Sequence, residues 1–366
     1  MALQLFTKKF YRKKFPKLPD KLVEWLRGGY YGGRVEVYRF GEISGPVRHY
    51  DVNSLFPSVM VNGTFPDLVT YHGVEHPDWA QEGMAHITLT VPEMEYPPLP
   101  LRGATDIIYP FGTFTGTWCY PEIREALLYG ARVLAVHEAV EFLPMPTPFR
   151  GYIEYCYGNR LQAVKHSLDD VMWKLYMNSL YGKFGQRGRL EMIYNDEDVV
   201  IESKLSASAN VIWAAYVTCL ARLRLLTYLR DTSVCYYTDT DSLFTPDVLP
   251  TSVKLGELKL EDVYDAVNMV GNKIYAVTGP DASGAVTTKY KAKGVRRESA
   301  GDFIRLGRAT FRKPARFRES RKTSAIANRW YEVTKKRSAV YTKRRVHDDG
   351  RTSPWEYAAY CAAFGV

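Results

Sequence analysis

Two carboxylates stand two residues apart in Tyr237-Thr238-Asp239-Thr240-Asp241-Ser242, and residues 234 to 245 around them read as a strand, a sharp turn and a second strand. Like charges this close repel, so a fold keeps them together chiefly where a cation sits between them. A hard cation such as Mg²⁺ takes one or two protein carboxylates and completes its shell with phosphate oxygens or water. The bland alternative is a polar hairpin turn, where Asp and Thr are common.

Two further segments weigh against that alternative. In Asp51-Val52-Asn53-Ser54-Leu55-Phe56-Pro57-Ser58 an acid ends the short apolar strand Val47 to Asp51 just before a helix. The new helix offers free amides beside Asp51 that suit phosphate oxygens, unless Asp51 is merely a cap. In Lys174-Leu175-Tyr176-Met177-Asn178-Ser179-Leu180-Tyr181-Gly182, Lys174, Asn178 and Tyr181 are spaced i, i+4, i+7. They share one helix face, where a cation, an amide and a ring suit a triphosphate and a base or sugar. The competing reading is a mixed solvent face.

The formal net charge of +9 points to a polyanionic partner. Lys289 to Val346 hold 20 Lys and Arg against 4 Asp and Glu, a balance of +16 that leaves −7 on the other 308 residues. The basic segment, with Arg312, Lys313, Arg316 and Arg318, also carries Phe303, Phe311, Phe317, Trp330 and Tyr331. It therefore reads as a folded, mostly helical lobe rather than a tail. Five cysteines without metal-site spacing suggest free thiols. The longest apolar run, Val211 to Ala221, falls short of the about 20 residues of a membrane span and reads as a buried helix. The start, with Lys8, Lys9, Arg12, Lys13 and Lys14, lacks the apolar stretch of a signal peptide. The expectation is a cytoplasmic protein with no membrane partner.

Along the chain, Met1 to Arg27 reads as basic, amphipathic and helical. Gly28-Gly29-Tyr30-Tyr31-Gly32-Gly33 is a glycine-dense loop suited to close approach. Residues 64 to 120 read as strands and loops, and Pro121 to Gly130 as a helix. Phe149 to Gly182 reads as two helices broken at His166-Ser167, where Ser167 caps the second and Asp169 and Asp170 favour its positive end. Leu190 to Ser203, and Lys273 to Val277 with Val286 to Lys291, read as hairpins.

Taken together, the three motif segments resemble the family B DNA polymerases, whose D-x-x-S-L-[YF]-P-S, K-x-x-x-N-S-x-Y-G and Y-x-D-T-D-S blocks occur here in order and without mismatch, about 120 and 60 residues apart. Tyr30-Tyr31-Gly32-Gly33 and Lys273-Ile274-Tyr275 match the Y-x-G-G and K-x-Y blocks of the protein-primed branch found in bacteriophages, adenoviruses and linear organellar plasmids. The resemblance implies an α+β right-hand fold with palm, fingers and thumb. The parts it implies are a connector with the template loop (1–45), palm (46–62), an insertion (63–148), fingers (149–182), palm again (183–292) and a basic thumb (293–366).

It implies a DNA-directed DNA polymerase with two Mg²⁺ ions, Mn²⁺ being a substitute. Asp51 and Asp241 would hold them, with Asp239 close by and the Val52 carbonyl assisting. Lys174 would bind the triphosphate, helped by Arg160 and Lys165, with Ser54, Leu55 and Asn178 near the nucleotide. Phe56 would lie under the sugar and exclude a 2′-hydroxyl, and Tyr181 would pack near the nascent base pair. Lys273 and Tyr275 would grip the primer end. Tyr30, Gly32, Gly33, Gly182, Thr240, Lys291 and Lys293 would meet primer or template. The partners implied are primer–template DNA and dNTPs, with a terminal protein as an alternative primer.

Two departures stand out. Only 50 residues precede Asp51, too few for a separate nuclease domain, so proofreading is expected to be absent from this chain, the alternatives being a separate exonuclease protein or a truncated gene. The second insertion of the branch has only residues 186 to 209 to occupy, which counts against terminal-protein priming and strong strand displacement. The alternative reading is a non-catalytic polymerase-like nucleic-acid-binding protein, which has no need of clustered carboxylates facing phosphates. A third reading is an RNA-synthesising or primer-independent enzyme, and Phe56, a bulky group at the sugar gate, disfavours ribonucleotides.

Overall fold

The acidic hairpin forms as its sequence requires: Tyr237–Asp239 pairs antiparallel with Ser242–Thr245, and Thr240, at a φ of +65°, makes the turn. The computed structural model describes every residue except Lys14, 188, 195–198, 205–209, 315–329 and 339. Lys14, Arg316, Phe317, Arg318 and the end of the short second insertion lie outside the described residues.

The hairpin is part of a seven-stranded sheet. Its order is Val35–Val37, Tyr237–Asp239, Ser242–Thr245, Gly41–Val52, Leu258–Gly271, Ile274–Pro280 and Val286–Ala292, and every pairing is antiparallel. The strand ending near Asp51 is much longer than its apolar stretch suggested, because it is paired on both edges along 12 residues. One face of the sheet is covered by the helix Val211–Arg230. Ala221, Leu225, Tyr228 and Leu229 meet Tyr50, Val52, Leu243 and Leu258 there. This helix is 20 residues long and apolar enough to cross a membrane by composition, yet 78% of its apolar window is buried inside the protein. A helix apolar all round belongs in a core of this kind.

Residues 64 to 146 build a second, four-stranded antiparallel sheet, ordered Thr64–Gly73, Arg132–Pro146, Glu82–Val91, Gly112–Cys119, with the helix Tyr120–Leu128 against it. Arg150–Gln162 and Leu168–Phe184 are the expected helix pair. Ser167 caps the second by accepting from the Asp170 amide at 3.3 Å.

Three expectations need correction. The opening segment is not one helix: short helical turns at residues 2–10 are separate from the helix Asp20–Arg27, with Pro16 and Pro19 between them. Among the described residues, the basic lobe is more strand than helix. It has one short helix, Ala300–Leu306, and a hairpin of Arg308–Pro314 with Trp330–Lys336. It also does not extend to the C-terminus. Tyr341 accepts from the Val37 amide at 2.8 Å, Arg344 is buried beside Glu36, and Tyr360 sits in the core of the four-stranded-sheet unit. Residues 341 to 366 therefore return to the body of the molecule.

Candidate active site

Strand pairing brings the separated acids together. Ser242 faces Asp51 in register, and the Val52 amide donates to the Asp241 carbonyl at 2.7 Å, so Asp51, near the end of its strand, and Asp241, in the turn just before the neighbouring strand, meet at one cleft. Burial pushes the Asp51 carboxyl up to about 7, and the charges of Asp241 and Glu261 add to this. Burial and then Asp239 raise Asp241 as well. Lys174 reaches in from the helix Leu168–Phe184 and acts on both carboxylates in the opposite sense. Two half-buried carboxylates with the Val52 main chain form an all-oxygen donor set, and their mutual cost is one a divalent cation relieves. The residues fit such an ion.

Asp239 is placed differently. Lys273, in the left-handed region at a φ of +61°, forms a close ion pair with it, while the Lys273 amide donates to the Tyr237 hydroxyl at 2.9 Å. Among the described residues, Asp239 is thus the one of the three acids held in a direct ion pair. Tyr275 lies within the sheet, with ring centroids 5.7 Å from Tyr237 and 5.4 Å from Phe244. Lys291, opposite Tyr275 in register, and Lys293 are exposed.

Phe56, on the short helix Leu55–Val61, stacks on Tyr181 with centroids 4.6 Å apart and planes within 19°. Lys174, Asn178 and Tyr181 share one face of the helix Leu168–Phe184. Leu55 is a core residue, 1% exposed, so only its main chain is available to a ligand. Ser54 adopts a φ of +51°, and its hydroxyl accepts from Arg160 at 3.4 Å. Arg160 also binds Asp170 at 2.8 Å, which ties the two long helices together. Lys165 is exposed at the turn between them.

The glycine loop packs on the acidic turn. A methyl group on Gly33 would lie 2.6 Å from the Thr240 side chain, and the Thr240 amide donates to the Arg34 carbonyl at 2.7 Å. Tyr30 covers Gly185, whereas Gly32 and Gly182 face open space. The sequence reading missed the residues behind this loop, Arg102, Glu122 and Arg222. Nothing local marks them, because their acceptors lie up to 191 residues away.

Residues 1–218 match the family model of DNA polymerase type B, organellar and viral. The chain belongs to that family. Similar proteins include a probable DNA polymerase of Neurospora intermedia, 24% identical over 347 residues that cover 80% of this chain and 35% of that protein. The DNA-directed DNA polymerase of Enterobacteria phage PRD1 is 25% identical, over 73% of this chain and 52% of its own. The structure of Phi29 DNA polymerase complexed with primer-template DNA aligns with a TM-score of 0.71 at 18% identity, over 92% of this chain and 66% of that one. The α+β polymerase fold is therefore established. The chain spans about a third of the length of the Neurospora relative and about half of the phage one.

Proposed function

We propose that this chain copies DNA, adding dNTPs to a primer 3′ end under template direction. The observation that carries the reading is Asp51, on one strand, meeting Asp241, in the turn before the adjacent strand, within the influence of Lys174 and together with the stacked Phe56 and Tyr181. In this reading the seven-stranded sheet is the palm, the helices at 150–184 are the fingers, and the basic hairpin with the helix before it is the thumb.

Asp51 and Asp241, with the Val52 carbonyl, would hold two Mg²⁺ ions. When bound, these supply a better 3′-hydroxyl nucleophile and neutralise the departing pyrophosphate. The chain's own part is positioning and charge stabilisation. Lys174 balances the triphosphate charge from the finger side. Arg160, fixed by Asp170, holds the finger helices and Ser54 in one arrangement. Phe56, backed by Tyr181, presents a ring to the sugar and leaves little room for a 2′-hydroxyl. Lys273 holds Asp239 beside the primer terminus. The glycine loop meets the template strand.

The test is single-nucleotide addition on four templates that differ at the first unpaired base, with each dNTP in turn and with a no-primer control. Incorporation that follows the template base and requires a 3′ end is expected. Incorporation indifferent to the template base would overturn the reading, and strong synthesis without a primer would replace the primer assignment.

A further inference from the structure

Four of the six carbonyl oxygens of the glycine loop, together with that of Arg27 before it, are held by two guanidinium groups. Arg102, on the short strand Leu101–Arg102, donates to the carbonyls of Arg27, Gly28 and Tyr30, and its head lies 4.3 Å from the centre of the Tyr31 ring. Arg222, on the core helix, donates to the carbonyls of Tyr31 and Gly32, both at 2.8 Å. Its other side is bound at 2.8 Å by Glu122, and both side chains are at most 2% exposed. The amides of Gly28, Gly29 and Tyr30 bond back to the preceding helix. Among the described residues, nothing accepts from the amides of Tyr31, Gly32 or Gly33, and the position of a Gly32 side chain opens on free space.

A loop that meets a polyanion cannot present carbonyl oxygens to it. Consecutive outward amides do the opposite and make a cradle for an anionic oxygen. We propose that Arg102 and Arg222 are positioning residues for strand binding: by engaging the carbonyls of residues 27, 28 and 30–32, they fix the loop so that the amides of Gly32 and Gly33, from which nothing among the described residues accepts, take one phosphate of the template strand beside the acidic turn. The inference rests on the polymerase reading. Arginine suits the role because its planar fork serves several acceptors at once, whereas a lysine ammonium on a flexible stem reaches fewer. Arg222 needs Glu122 behind it because an unpaired buried charge is costly.

The experiment uses Arg102→Ala and Arg102→Lys, since Arg102 is exposed and its removal leaves no buried charge unpaired. Arg222→Lys serves as a second variant that retains the charge. Thermal unfolding establishes that each is folded. Affinity is then measured, over a range of salt, for a primer–template with a 5′ template overhang and for a blunt duplex. The expected result is about a tenfold loss on the overhang substrate, the scale of one hydrogen bond to a charged group. Blunt-duplex affinity should be unchanged, the salt slope should equal that of wild type, and lysine should give little rescue. Equal losses on both substrates, or none, would overturn the proposal. So would a salt slope lower by about 0.7 that lysine restores, because that is the mark of Arg102 touching a single-strand phosphate itself. Wild type that binds no primer–template would sink the polymerase reading. Wild type that binds and extends while Arg102→Ala behaves identically would sink only the role of the arginines.

Discussion

At the scale of single residues, the cleft divides its work between side chains with fixed partners and side chains left facing the opening. Phe56 is the clearest case of the first kind, because its ring is backed by the Tyr181 ring at 4.6 Å. Phe56→Val should therefore raise ribonucleotide incorporation, measured as the ratio of rNTP to dNTP addition in competition. Unchanged discrimination would reduce Phe56 to a packing residue. Asp239 is also partnered, through Lys273, whereas Asp51 and Asp241 share a cleft in which burial raises both, with Asp241 adding to the effect at Asp51 and Asp239 adding to it at Asp241. Spacing alone could not reveal this division. The Tyr-x-Asp-Thr-Asp-Ser segment presents two equivalent acids, and only the positive-φ turn at Lys273, 34 residues on, separates them.

At the scale of elements, what was legible in the sequence is what short-range physics decides. Ser167 was readable as a helix cap because its acceptor role depends on the three residues that follow, and Asp170 both closes that cap and receives Arg160. Ser167→Ala should lower stability by about 1 kcal/mol, read as a fall in thermal midpoint. An unchanged midpoint would mean that Arg160 and Asp170 hold the finger turn without the cap. The basic lobe was misread for the converse reason. Lys and Arg are good helix formers, but Arg308–Pro314 finds its partner some twenty residues later, and long-range pairing overrides propensity there. In the same way the strand ending near Asp51 extends back to Gly41, through residues with little strand character, because two neighbours pair with it. Arg102 and Arg222 carry no local signature at all. Their role exists only once the chain has brought the glycine loop under them.

At the scale of the whole molecule, charge is distributed as a strand-binding protein needs. The +16 segment is set against a slightly acidic body, and its hairpin places Arg308 directly opposite Lys336. Like charges facing each other across a ladder are destabilising, so the pair is explained better by a polyanion lying over it than by stability. For about six contacted phosphates, log affinity for duplex should fall against log salt with a slope near −5. Arg308→Glu with Arg312→Glu and Lys336→Glu should flatten the slope and shorten products, yet alter single-nucleotide addition at saturating DNA much less. Identical slopes for wild type and variant would leave the hairpin as an ordinary solvated surface. The central claim, that Asp51 and Asp241 form the catalytic pair of a polymerase, is tested most directly by single-turnover primer extension with Asp51→Ala and Asp241→Ala, alongside titration of DNA binding. Extension should be lost while primer–template binding is kept or strengthened, because each substitution removes a negative charge facing phosphates. Extension persisting at more than about a tenth of the wild-type rate, less than the 1.4 kcal/mol of barrier that corresponds to tenfold, would contradict the account.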